Sequence, residues 1–341
     1  MPDIYIHAGA FKTATTSFQL LMNKNKNNLL SENGLLYLNT GLRKNLGSLD
    51  EYSMAHHTLF HASRAAENGH HLKHQQFKKL IEEEIFEKKP DSVIISTELL
   101  TSANITLMKQ FINLFPNKNI KIIYAYRRPD LYIDSMNNQL LKQKGDIKQK
   151  VACPFISDLK KWAHLVGEKR LIPIYMEKNS NKSFAIEVLE KITKKPIKTY
   201  LEPQKQNESI TLKSMFFIKS LQSIINYSRL SSENRKLHRA LLELQNKLIH
   251  QHQNSEKLIT ISLEEREKII EEAIKELNYA RKDLKHTNFK QYYQELNTFD
   301  LNIEPNINLG KKIHISNEDR ESFYNCLSSP IVKRCLEKGY L

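Results

Sequence analysis

The chain has 341 residues, 40% of them hydrophobic, with 9 glycines and 10 prolines, which suits a helix-rich globular protein and excludes a disordered or collagen-like one. A formal charge of +14 concentrates anions at the surface and favours nucleotides, anionic glycans, nucleic acid or acidic lipid as partners, without choosing among them. Three cysteines, Cys153, Cys326 and Cys335, show no CxxC or zinc-type spacing, so a reduced, cytoplasmic setting is expected.

Ile4-Tyr5-Ile6 opens an apolar run with no secretory leader pattern ahead of it and reads as a first strand, followed by a loop and a helix over roughly 14–30. Ser92 to Ser96, Lys121 to Tyr126 and Leu171 to Tyr175 read as further strands. Runs apolar on both faces suit a parallel sheet covered by helices on each side. The α/β alternation predicts a three-layer, doubly wound domain over 1–206. Pro173 argues for an edge position or a late start of its strand. From 207 to 290 glycine and proline vanish, and Leu237, Leu241, Leu242, Leu244 and Leu248, then Ile269, Ile270, Ile274 and Leu277, recur at helical spacing. A helical extension or cap is expected there, with surfaces over 210–285 suited to pairing between chains. Residues 291–341 are expected as a tail on the core, with a turn-rich stretch from Asn302 to Gly310 and a last helix near 317–337. No run of about 18 apolar residues occurs, so no transmembrane segment is expected, and basic patches leave peripheral membrane contact open.

The most informative stretch is His7-Ala8-Gly9-Ala10-Phe11-Lys12-Thr13-Ala14-Thr15-Thr16-Ser17-Phe18-Gln19. A loop turning from a strand into a helix aims backbone N–H groups at one spot, where the helix dipole also favours an anion. Lys12 adds a full charge, and Thr13, Thr15, Thr16 and Ser17 offer four hydroxyls. Threonine is poor inside helices, and one N-cap does not account for the cluster. A nucleoside-triphosphate loop wants glycine six residues and one residue before its lysine, where Ile6 and Phe11 stand. No strand ends in an aspartate placed to hold magnesium; Thr97 is followed by Glu98.

Lys12-Thr13-Ala14-Thr15-Thr16-Ser17 resembles the 5′-phosphosulfate-binding loop of the sulfotransferases that use 3′-phosphoadenosine 5′-phosphosulfate (PAPS). That family's second motif, an arginine and a serine eight residues later that bind the 3′-phosphate, is matched by Arg127 and Ser135, with Asn138 and Gln139 following. The resemblance covers roughly residues 3–215. It implies a P-loop-like α/β/α fold, PAPS as co-substrate bound by Lys12, Thr13, Ala14, Thr15, Thr16, Ser17, Arg127 and Ser135, no metal, and an acceptor hydroxyl or amine on a glycan or glycolipid. The family glycine is Ala14 here; if position 14 is already helical, alanine favours the helix. Arg128 takes the place of Arg127 if the register slips by one.

Sulfuryl transfer builds negative charge on the leaving phosphate oxygen, where Lys12 is the expected cation. The acceptor must lose a proton, and two candidates for the base stand out: Glu98, whose pKa partial burial would raise, and the His56-His57 pair, of which His57 is the candidate. Each has an ordinary alternative, Glu98 as a helix N-terminal carboxylate and the histidines as a polar helix face. His7 is expected to pack beneath the loop. The six histidines from His56 to His74 match no compact zinc pattern. Weaker signals are Asn207-Glu208-Ser209, Gly310-Lys311-Lys312, and the basic loop of Lys142, Lys144, Lys148 and Lys150 around Gly145. The rival readings are a P-loop kinase, separable by magnesium dependence, and a non-catalytic basic binding module. No helix-turn-helix, aromatic platform or zinc finger supports nucleic-acid binding.

Overall fold

The structure, a computed structural model, describes residues 2–42, 54–115, 119–144, 151–176, 184–193, 211–251, 258–285, 287, 289, 292, 294, 296 and 316–340. Among them the chain is mixed α/β with one five-stranded, all-parallel sheet. The strands are β1 (Asp3–His7), β2 (Leu35–Tyr37), β3 (Ser92–Ser96), β4 (Ile120–Tyr126) and β5 (Leu171–Tyr175), in the order β2-β3-β1-β4-β5. The four expected strands are present, and β5, carrying Pro173, is an edge strand, where proline is tolerated. The three-residue β2 was not foreseen, being too short to give a periodic signal.

The helices of the first half are α1 (Thr15–Asn33), α2 (His57–Glu67), α3 (Leu72–Lys88), α4 (Ile105–Ile112), α5 (Pro129–Lys144), α6 (Phe155–Val166) and α7 (Phe184–Thr193). Alternate strand residues face opposite sides of the sheet. Tyr5, Ile94, Ile123 and Ile174 pack with Phe18, Leu21 and Met22 of α1 and with Val188 and Leu189 of α7. On the other face Tyr124 donates to Asp158 of α6 at 3.0 Å, and Tyr126 packs on Phe155. Helices on both faces are compatible with the expected three layers. Gly34 ends α1 in the left-handed region at φ 63, where a Cβ would also strike the Asp91 carboxylate, so the turn into β2 requires glycine.

The chain forms two compact units, neither continuous in sequence. The first comprises Met1–Arg128, Pro154–Gln206 and Glu272–Thr298, and holds the sheet. Its late segment is fixed by Thr287 on Glu168, by the Lys160–Asp283 ion pair, and by Tyr292 packed on Tyr126 and Tyr175. The second comprises Pro129–Cys153, Asn207–Glu271 and Phe299–Leu341. It contains α5, α8 (Leu212–Ile224), α9 (Tyr227–Glu233), α10 (Arg235–Gln251), the start of α11 (Leu263–Ala280), and the helices Asn317–Leu327 and Pro330–Glu337. Its core gathers Phe217, Leu221, Leu230, Leu237, Leu241 and Leu248 with Val332 and the buried free thiols of Cys326 and Cys335. Burial pushes the Cys326 thiol up to about 11, so it packs as an apolar side chain at neutral pH. No helix among the described residues is long and apolar enough to cross a membrane.

Candidate active site

In the order β2-β3-β1-β4-β5, the chain leaves β1 towards one side of the sheet and leaves β4 towards the other. The carboxyl ends of β1 and β4 therefore flank a topological switch point, where ligands bind in open α/β sheets. Residues 8–14 cross that point. Ala8 and Ala10 extend the ladder onto β4, bonding Ile123 and Ala125 carbonyls at 3.0 and 3.3 Å. Gly9 between them comes so close that a Cβ would stand 2.8 Å from the Ala125 methyl and 3.0 Å from His7 Nε2.

Two non-glycine residues of this loop, Lys12 (φ 63) and Ala14 (φ 54), are left-handed. Ala14 is the N-cap of α1 and not part of the helix, so the condition under which alanine would be favoured is not met and its methyl is strained. The first helical bond runs from Phe18 N to Ala14 O at 3.0 Å, and no side chain caps the helix. The N–H groups of Thr15, Thr16 and Ser17 thus lie at an open helix N-terminus without a carboxylate in its first turn. Thr13 departs from the expected set of four hydroxyls: it is buried and donates to Ala10 O at 2.6 Å, stapling the loop. Thr15 is also buried, while Thr16 and Ser17 are half-buried.

Arg127, just past β4, donates from Nη1 to the Lys12 carbonyl at 3.2 Å. Its neighbour Arg128 is buried. Burial lowers the Lys12 pKa, and the Arg127 guanidinium lowers it further. Two cations repelling one another at an open helix N-terminus gain from an anion between them. Ser135 lies half-buried on α5, in the second unit.

Beyond β3, the expected base candidates come together. Glu98 stands at the start of a short 3-10 turn, and His57 begins α2. His57 Nε2 lies 3.5 Å from Glu98 Oε1, and its Nδ1 is 3.0 Å from Thr97 Oγ1. Gln19 of α1 donates to Glu98 Oε2 at 2.9 Å. Burial pushes the Glu98 pKa up, as the sequence suggested, but the His57 hydrogen bond and charge, the Gln19 donor and a backbone bond together outweigh it. The carboxyl is held below its ordinary value, which corrects the expected direction. His56 plays another part. Its Nδ1 accepts from Ser96 N at 3.1 Å, so Nε2 carries the proton to Leu38 O at 2.7 Å, and burial depresses its pKa to about 4. It is a neutral strut joining residues 38, 56 and 96.

His7 packs beneath the loop, its ring against Phe18 and Phe184 and its Nδ1 2.8 Å from Ser96 Oγ. The residues not foreseen as part of this arrangement are Gln19 and Ser96. The available signal was Gln19 four residues after Thr15, a polar side chain on a helix face whose neighbours Phe18 and Met22 are core. Asn207-Glu208-Ser209, Gly310-Lys311-Lys312, Lys148, Lys150, Gly145 and the stretch from Asn302 to Gly310 lie outside the described residues. No family model, curated protein or solved structure matches the chain.

Proposed function

We propose that this chain is a sulfotransferase that takes the sulfuryl group of PAPS to a hydroxyl or amine of a glycan or glycolipid, on a P-loop-like α/β/α core. The observation that carries the reading is the meeting of Lys12 and Arg127 at the uncapped start of α1, at the sheet's switch point. Backbone strain at Lys12 and Ala14 adds support, because left-handed non-glycine residues persist where a loop is shaped for a ligand.

In this reading the acceptor oxygen or nitrogen attacks sulfur as the bond to the bridging phosphate oxygen breaks. Lys12 and the α1 amides stabilise the charge gathering on that oxygen. Glu98 takes the acceptor proton, with His57 beside it to stabilise the pair. Thr13 holds the loop's shape, and Thr15, Thr16 and Ser17 present amides to the phosphate end. Arg127 serves the 3′-phosphate, for which neither a kinase nor a basic binding module has a use.

The test is calorimetric titration of the protein with 3′,5′-adenosine bisphosphate and with ADP, both without magnesium. Tight, bisphosphate-selective binding, lost in Lys12→Ala at little cost in stability, is expected. Preference for ADP, or equal binding by Lys12→Ala, would return the chain to its rivals.

A further inference from the structure

The polar contacts behind Glu98 form one continuous buried chain through β1, β3, α1 and α2. His7 and Ser96 are opposite one another in the β1–β3 register, both fully buried, with Nδ1 and Oγ 2.8 Å apart. Gln19, 5% exposed, reaches across from the second turn of α1. Its single amide nitrogen lies 3.1 Å from Ser96 Oγ and 2.9 Å from Glu98 Oε2. An amide nitrogen has two hydrogens, and the two contacts use both. Ser96 therefore accepts from Gln19, and its own proton is free to go to His7 Nδ1. Burial brings His7 down to about 4, so the ring is neutral and able to accept it. Among the described residues His7 Nε2 has no hydrogen-bond partner, so the ring's polar engagement is all on the Ser96 side.

The arrangement divides the carboxylate. Oε2 faces the Gln19 amide and Oε1 faces His57. Gln19 stands on the same helix whose first turn presents its amides at Lys12, one turn along from Thr15. One rigid element thus supplies both the open N-terminus and the donor that sets the carboxylate. A leucine at 19 would leave Oε2 without its amide donor, and a glutamate would set carboxylate against carboxylate.

We propose that Gln19 is a positioning residue: backed by Ser96 and His7, its amide fixes Glu98 Oε2 relative to the α1 N-terminus and leaves Oε1 to His57. The proposal rests on the reading of Glu98 and His57 as the acceptor-activating pair. Loss of a donor to the ionised form raises a carboxyl's pKa, and a second carboxylate raises it more. The titrating groups that face Glu98 are His57 from α2, His7 from β1 and Tyr37 from β2. His7 is neutral at neutral pH and Tyr37 is pushed up by burial, so the His57 ring signals are recorded alongside.

The experiment is a carbon-13 NMR titration of the full chain, labelled at glutamate carboxyls and histidine rings, with Glu98 assigned through Glu98→Gln. Gln19→Leu and Gln19→Glu are both expected to move the Glu98 midpoint upward, Gln19→Glu further. Ser96→Ala, which removes the amide's second anchor, is expected to give a smaller shift in the same direction and serves if the Gln19 variants do not fold. An unchanged or lower midpoint in the folded variants would overturn the proposal. A Gln19 that only fills space predicts that outcome. The titration needs no substrate, so failure of the wild type to bind 3′,5′-adenosine bisphosphate would sink the sulfotransferase reading alone.

Discussion

Lys12 is costly to charge before anything binds, because burial and the Arg127 guanidinium both disfavour its ammonium. Binding an anion favours the charged form and so raises its pKa. By linkage, the proposed function requires affinity for 3′,5′-adenosine bisphosphate to be full below the lowered free-state pKa and to decline as pH rises through it. Calorimetry in buffers of different ionisation enthalpy should detect proton uptake on the alkaline side, and Lys12→Arg, charged throughout, should remove it. Affinity that is flat with pH would contradict this account of the lysine. Ala14 gives a second test. Its φ of 54 puts a methyl in the left-handed region, which costs on the order of 1–2 kcal/mol. After the greater flexibility of unfolded glycine is subtracted, Ala14→Gly should stabilise the protein by about 0.5–1 kcal/mol in denaturant melts. In the sequence alanine at 14 already departs from the glycine of the motif it resembles; the backbone torsion shows why glycine suits the position.

Among the elements, α5 and the start of α11 are joined within the second unit by a buried ion pair. Arg266 Nη1 lies 2.5 Å from Asp130 Oδ2, with the two side chains 2% and 0% exposed. Asp134, one turn further along α5, accepts from Thr260 N at 2.7 Å and from its hydroxyl at 2.6 Å. Removing one partner of such a pair takes a close counter-charge from the other in a dry interior. Arg266→Ala should therefore cost about 3–5 kcal/mol of unfolding free energy, whereas Arg266→Met with Asp130→Leu should recover much of it. Equal losses in the single and double variants would show that packing, not the lost counter-charge, sets the cost. This pairing was invisible in sequence, since 136 residues separate its members and each looks like an ordinary helix-surface charge. The α10 stripe was legible, because Leu237, Leu241 and Leu248 recur at helical spacing and bury one face.

At the scale of the molecule, the two units exchange segments along the chain, and composition gives no sign of it. Residues 1–206 read as an α/β core, and the first unit comprises Met1–Arg128, Pro154–Gln206 and Glu272–Thr298. Tyr292, 1% exposed, fills the space beside Tyr126 and Tyr175 at the ends of β4 and β5. A fragment ending at 206 would open a cavity the size of that ring next to Arg127's strand and take Thr287 from Glu168 and Asp283 from Lys160. It should show strand and helix by far-UV circular dichroism with weak near-UV signal and dye binding, the behaviour of a loosely packed state. A cooperatively melting fragment would show that the late segment is dispensable.

By itself the sequence determined the parallel α/β character, four of the five strands, and the crowding of Lys12 with hydroxyl residues where the first strand runs into a helix. Each of these follows from local periodicity or from residue types crowded into a few positions, which the chain carries whatever its surroundings. Tertiary structure alone decided that Arg127 reaches Lys12, that Thr13 turns inward, that Ala14 is left-handed, and that Gln19 holds Glu98 with its pKa lowered. The Arg127 and Gln19 contacts join segments 115 and 79 residues apart, and the lowered pKa reflects a balance of burial against partners. That balance exists only once strands, loop and helix have closed around the same few side chains.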